Sequence, residues 1–182
     1  SWSWTGYEGK KASIEVYARA ARVELRLNGR IVGRKALKND CLAKFSVPYE
    51  PGRLEAVSYD AQGCELGRCT LTTAGQQTQI TAGPEQSSVR AGHLCYIRLR
   101  YTDEKGITKP LARGNIKVEV DGGTLVGLGN ACPYHERSYL DCVADTYYGE
   151  ALAIVRAGEG NSLTLTADDG MYSTAVTVPV TH

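Results

Sequence analysis

Hydrolysis by paired carboxylates requires two acidic side chains roughly 5–9 Å apart across a substrate, one of them with a raised pKa. The chain offers two adjacent acidic pairs, Asp103-Glu104 and Asp168-Asp169. Each sits near a glycine in a turn signature, where Asp caps its own backbone, and we read both as turn residues. Asp121 and Asp141 flank a glycine-rich central stretch, with no partner identifiable for either. Cys132, His135 and Cys142 form C-x2-H-x6-C, with Glu136 and Asp141 close by. Thiolate and imidazole suit zinc, but the spacing matches no common finger and a fourth ligand is lacking, so no metal is expected. Ser138, His135 and Asp141 are the residue types of a hydrolase triad without the G-x-S-x-G elbow that would present the serine. Gly127-Leu128-Gly129-Asn130 starts like a dinucleotide fingerprint. Its third glycine is missing and Pro133 falls where the helix should begin, so we expect a tight strand-end bend and no cofactor.

Aromatic side chains carry the stronger signal. Trp2, Trp4 and Tyr7 open the chain, and Tyr134, Tyr139, Tyr147 and Tyr148 decorate the central stretch. Sugars present apolar C–H faces that stack on such rings. The same residues also anchor protein interfaces, because they combine apolar area with a polar tip. For Trp2 and Trp4 we favour a domain interface; for the tyrosines the carbohydrate and interface readings stand level.

Composition narrows the field. Lys plus Arg number 21 against 20 for Asp plus Glu, so the chain lacks the basic excess that gives nucleic-acid binders their affinity. No apolar run approaches the roughly 18 residues of a membrane span. We therefore expect neither nucleic acid nor membrane as a partner. The first residue is Ser1 and the single methionine is Met171, which reads as a cut or engineered N-terminus that hides any signal. Six cysteines without a CxxC pair, several flanked by apolar residues, point to reduced, buried thiols. That favours a cytoplasmic location over a periplasmic or secreted one.

Period-two alternation dictates the elements that position these residues. Val23, Leu25 and Leu27 alternate with Arg22, Glu24 and Arg26, then Asn28-Gly29 gives a strong hairpin signal. With strands beginning at Ile14 and at Ile31, and over residues 41–47, 53–59 and 65–72, the first part holds about six. The polar stretch 73–79 places a linker near Gly75. Seven strands follow, over residues 79–82, 94–101, 115–120, 124–128, 150–156, 162–167 and 173–180. The expectation is an all-β chain of two consecutive immunoglobulin-like β-sandwich domains, residues 1–75 and 76–182.

The order of motifs resembles a known family. SWSWTGYEGKKASIEVYA, VELRLNGRIVGR and FSVPYEPGRLEAVSYDAQG are similar to the immunoglobulin-like domain that follows the catalytic barrel in bacterial β-galactosidases of glycoside hydrolase family 2. YTDEKG, VEVDGGTLVGLGNACPY, TYYGEALAIVRAG and LTLTADDG resemble the next domain of those enzymes. The family commonly has His before the first Trp, where this chain has Ser1. The resemblance implies a parent enzyme that hydrolyses terminal β-galactosides with retention, using two glutamates on a (β/α)8 barrel absent from this chain. No catalytic residue is carried onto any position. The implied role is accessory: packing on the missing barrel, shaping the substrate entrance, or supporting a homo-oligomer. The alternatives are a stand-alone carbohydrate-binding module and an adhesin-like structural repeat.

Overall fold

Val23, Leu25 and Leu27 all point into the core of the first of two units, with 1% exposure or less, as strict alternation requires. A computed structural model describes residues 1–38, 41–134 and 137–182, and divides into units Ser1–Thr73 and Ala74–His182. The chain is all-β, as two consecutive immunoglobulin-like β-sandwiches. Among the described residues there is no helix long and apolar enough to cross a membrane.

In the first unit the strands are β1 (Lys11–Tyr17), β2 (Arg22–Leu27), β3 (Arg30–Ala36), β4 (Leu42–Pro48), β5 (Arg53–Tyr59) and β6 (Glu65–Thr72). β1 pairs with β4, and a four-stranded sheet runs β3-β2-β5-β6. Asn28 and Gly29 join β2 to β3 with φ of 51° and 77°, the left-handed pair that a two-residue hairpin needs. The Asn28 side chain then clamps the next turn. Its Nδ2 donates to the Pro51 carbonyl at 3.0 Å and its Oδ1 accepts from the Arg53 amide at 2.8 Å.

On the outer face of the larger sheet, Glu24 pairs with Arg26 at 2.6 Å and Arg34 at 2.7 Å, and Glu55 pairs with Arg53 at 2.9 Å and Arg68 at 2.8 Å. Val57, registered between Glu24 and Arg68, is fully buried there. β6 is exposed along its whole length. Cys69, expected to be buried, is therefore exposed, whereas Cys95 is fully buried. β6 lies at the edge of the four-stranded sheet, and the unit's other sheet has only two strands.

The second unit contains β7 (Gln79–Pro84), β8 (Val89–Arg90), β9 (Leu94–Thr102), β10 (Asn115–Asp121), β11 (Gly123–Gly129), β12 (Val143–Asp145), β13 (Glu150–Ala157), β14 (Ser162–Asp168) and β15 (Ser173–Thr181). One sheet has the order β12-β10-β14-β15-β8 and the other β11-β13-β9-β7. Ile97 and Leu99 of β9 and Val155 of β13 share one core with Ile116, Leu163 and Leu165 of the opposing sheet. Each such side chain contributes about 1.5–3 kcal/mol on burial. Two strands exceed the seven expected. β8 and β12 span two and three residues, too few to show alternation.

Gly122 and Gly123 carry the chain from one sheet to the other between β10 and β11. A Cβ on Gly122, at φ 72°, would lie 2.2 Å from the Ser162 carbonyl oxygen, so this corner admits only glycine.

Candidate binding cleft

β13 reads EALAIVRA, apolar on both faces, and such a strand needs cover on both sides. Ala151, Ala153 and Val155 face the core and are buried, while outward Leu152 and Ile154 are only half-buried. They form the floor of a cleft of about 640 Å³ in the second unit. In register, Leu152 lies between Gly129 and Arg98, and Ile154 lies between Gly127 and Tyr96. Gly127 and Gly129 are therefore paired strand residues rather than the strand-end bend expected. The irregularity is instead a bulge at Val126, which also lines the cleft.

Two tyrosines flank that floor. The Leu128 amide donates to the Tyr139 carbonyl at 2.8 Å, which pins the loop carrying Tyr139 against β11. Asn130 fixes the start of the same loop. Its Nδ2 donates to the Asp145 carboxylate at 2.8 Å and its Oδ1 accepts from the Cys132 amide at 2.8 Å. Tyr147 is held by reciprocal backbone hydrogen bonds with Glu150, at 2.9 and 3.1 Å, across the turn Tyr148-Gly149.

That turn has φ of 50° and 76°, so Tyr148 occupies a left-handed conformation that costs a bulky residue about 1–2 kcal/mol. A Cβ on Gly149 would meet the Lys109 carbonyl oxygen at 2.4 Å. The Tyr147 and Tyr148 rings meet edge to face, with centroids 4.5 Å apart. The field of the Tyr148 phenol, and its hydrogen bond, push the Tyr147 phenol above its ordinary pKa, keeping it neutral. At the polar rim, Arg98 pairs with Glu85 at 3.1 Å. Glu150 lines the cleft and makes no side-chain hydrogen bond or ion pair with a described residue.

The other aromatic candidates lie elsewhere. Tyr134 is 88% exposed and does not line the cleft. In the first unit Trp2 is only 4% exposed, meets Tyr49 edge to face at 4.9 Å and donates its Nε1–H to the Glu50 carbonyl at 2.9 Å. Its ring packs into that unit's own core. Trp4 is half-buried and donates Nε1–H to the Ser1 carbonyl at 3.3 Å, while the half-exposed Tyr7 carries the Lys10 ammonium 4.5 Å from its ring centroid. Trp2, Trp4 and Tyr7 line a smaller groove of about 390 Å³ with Leu71.

The carboxylate pairs are structural. Asp103 is 1% exposed, and its oxygens accept from the amides of Gly75 at 2.7 Å, Ile107 at 2.8 Å and Lys105 at 2.9 Å. Burial alone would raise its pKa, but those amides outweigh it and hold the group below its ordinary value. Asp168 accepts from the Gly170 amide at 2.7 Å. Asp169 accepts from the amides of Met171 and Tyr172 and from the Tyr101 hydroxyl. His135 and Glu136 lie outside the described residues, so the Cys132–His135–Cys142 set and the Ser138–His135–Asp141 set do too. Among the described residues no three metal-ligating side chains cluster.

Glu150, Arg98 and the outward Leu152 and Ile154 were not singled out from the sequence. The available signal was the unbroken apolar run of β13, which asks for cover on its second face.

Fold and cleft together define a pair of β-sandwich domains, the second of which carries an open apolar cleft. Residues 79–177 match the family described as glycoside hydrolase family 2 C-terminal domain 5, and residues 9–67 match a domain of unknown function, DUF4982. The first of these matches spans more than half of the chain, which therefore belongs to the C-terminal region of glycoside hydrolase family 2.

A putative β-glucuronidase of Formosa agariphila is 37% identical over 83 residues, 42% of this chain and 8% of that protein. A family 2 member from Bacteroides cellulosilyticus superposes with a TM-score of 0.89 at 32% identity, covering 100% of this chain and 24% of its own. A β-glycosidase from Bacteroides vulgatus shares the fold, with a TM-score of 0.87 at 24% identity over 98% of this chain and 24% of that one. The chain thus spans about a quarter of the length of these solved relatives. The names among these relatives are β-glucuronidase and β-glycosidase, so the resemblance holds at the level of the family rather than of β-galactosidase.

Proposed function

We propose that this chain is a non-catalytic accessory pair of domains that supports the catalytic barrel of a family 2 β-glycosidase. The observation that carries this reading is the alignment of the whole chain, at 32% identity, with about a quarter of a family 2 enzyme. The buried carboxylates fit it: Glu24 and Glu55 are bound by arginines, and Asp103 by backbone amides. The motif order favours a parent that cleaves terminal β-galactosides with retention. A β-glucuronide is the second reading, favoured by the 37% identity to a putative β-glucuronidase. The partner is the barrel of the same polypeptide, with homo-oligomer contacts as a further supporting role. All six cysteines are free, which fits a cytoplasmic parent.

The test compares the full-length parent with a form lacking residues 1–182. Thermal midpoint and assembly state should both fall on deletion. Unchanged stability, assembly and kcat/KM would contradict an accessory role.

A further inference from the structure

We propose that the cleft over Leu152 and Ile154 binds a pyranose unit of an oligosaccharide. A pyranose has an apolar C–H face and a rim of hydroxyls, so its site needs an apolar platform bordered by groups that accept and donate hydrogen bonds. Here Leu152, Ile154 and Val126 supply the platform, Tyr139 and Tyr147 the aromatic flanks, and Glu150 the hydrogen-bonding rim. The volume of about 640 Å³ falls within the roughly 300–1,000 Å³ of small-ligand sites.

Three further observations converge on the same place. The bulge at Val126 and the side-chain-free Gly127 and Gly129 bare the edge of the floor. The strained φ of Tyr148 sets a ring against Tyr147, and backbone strain of this kind concentrates at ligand sites. The Glu150 carboxylate stands half-buried without a partner among the described residues. A carboxylate in that state accepts two hydroxyl donors, as a vicinal diol provides.

Charge does not divide the sugar classes here, because Arg98 pairs with Glu85 and Arg100 stands opposite Glu150 in register on the same outward face. The ligand class is set by the apolar floor and its hydrogen-bonding rim.

Both tryptophans lie in the first unit, so indole fluorescence would not report on this cleft. The experiment is a titration of the ¹⁵N-labelled chain with galactobiose, and in parallel with a glucuronic acid disaccharide, followed by amide shifts. Galactobiose should give saturable shifts at Gly127, Gly129, Tyr147 and Ala151. Tyr147→Ala and Glu150→Ala should each weaken binding by about tenfold, with core amide shifts confirming the fold, while Tyr134→Ala leaves it unchanged. Absence of shifts at these amides at millimolar concentration of either saccharide would overturn the proposal, as would shifts confined to the Trp4 groove. Binding is read without hydrolysis, so failure here leaves the accessory role standing.

Discussion

The Tyr101 hydroxyl donates to Asp169 Oδ2 at 2.5 Å and ties β9 of one sheet to the turn between β14 and β15 of the other. Tyr101 is 2% exposed, and a Cβ on Gly114 would lie 2.1 Å from its oxygen, so the hydroxyl fills its space. Burial, with the Asp169 carboxylate beside it, drives the phenol pKa far above its ordinary value. Tyr101→Phe removes a hydrogen bond to a charged acceptor. It should cost the second unit about 1.5–3 kcal/mol in urea denaturation followed by amide exchange of β9.

Acid should unfold the chain for an identifiable reason. Burial alone would raise Asp169, but the Tyr101 hydroxyl and the Tyr172 and Met171 amides outweigh it, and Asp103 is lowered in the same way. In the first unit, hydrogen bonds from Arg34 to Glu24 and from Arg68 to Glu55 lower both glutamates. Groups with depressed folded values stabilise fully above their unfolded values of about 3.9–4.3, and that stability is lost as pH falls through the folded ones. Thermal midpoints should drop between about pH 5 and about pH 2, and Asp103→Asn should flatten the slope for the second unit. A midpoint that rises with acid would contradict this assignment.

The two left-handed hairpin turns make opposite predictions. Asn28-Gly29 uses the favoured pair, and Asn28 also holds Pro51 and Arg53. Asn28→Ala should destabilise the first unit by about 1–3 kcal/mol. Trp emission measures it, because both tryptophans lie in that unit.

Tyr148-Gly149 puts a bulky residue where Asn is preferred. Tyr148→Asn should therefore raise the stability of the second unit by about 1 kcal/mol, read as a higher urea midpoint for β13 amides. A fall would show that the Tyr147–Tyr148 ring contact outweighs the backbone strain.

These turns also mark what alternation made legible. Val23, Leu25 and Leu27 declared their strand because one face is wet and the other dry, and Asn28-Gly29 declared its turn by residue type. Tyr148 carries no turn signal, so that hairpin was invisible until its partners Lys109 and Tyr101 closed around it. Trp2 reads from the sequence as a domain-interface residue because Tyr49, which its ring meets, lies far along the chain. Tyr139 and Tyr147 were readable as ring-bearing candidates. Their shared cleft was not, because its floor comes from the second face of β13 and its rim from Arg98 in β9 and Glu85 just after β7.

We expect turnover to reside in polypeptide outside this chain. The most direct measurement is the initial rate of release from a chromogenic β-galactoside and a chromogenic β-glucuronide. It should be made with the purified chain and with a longer polypeptide that includes the barrel. The longer form should hydrolyse one of the two, and the chain alone should match the buffer blank. Hydrolysis by the chain alone that disappears in Glu150→Gln would contradict it.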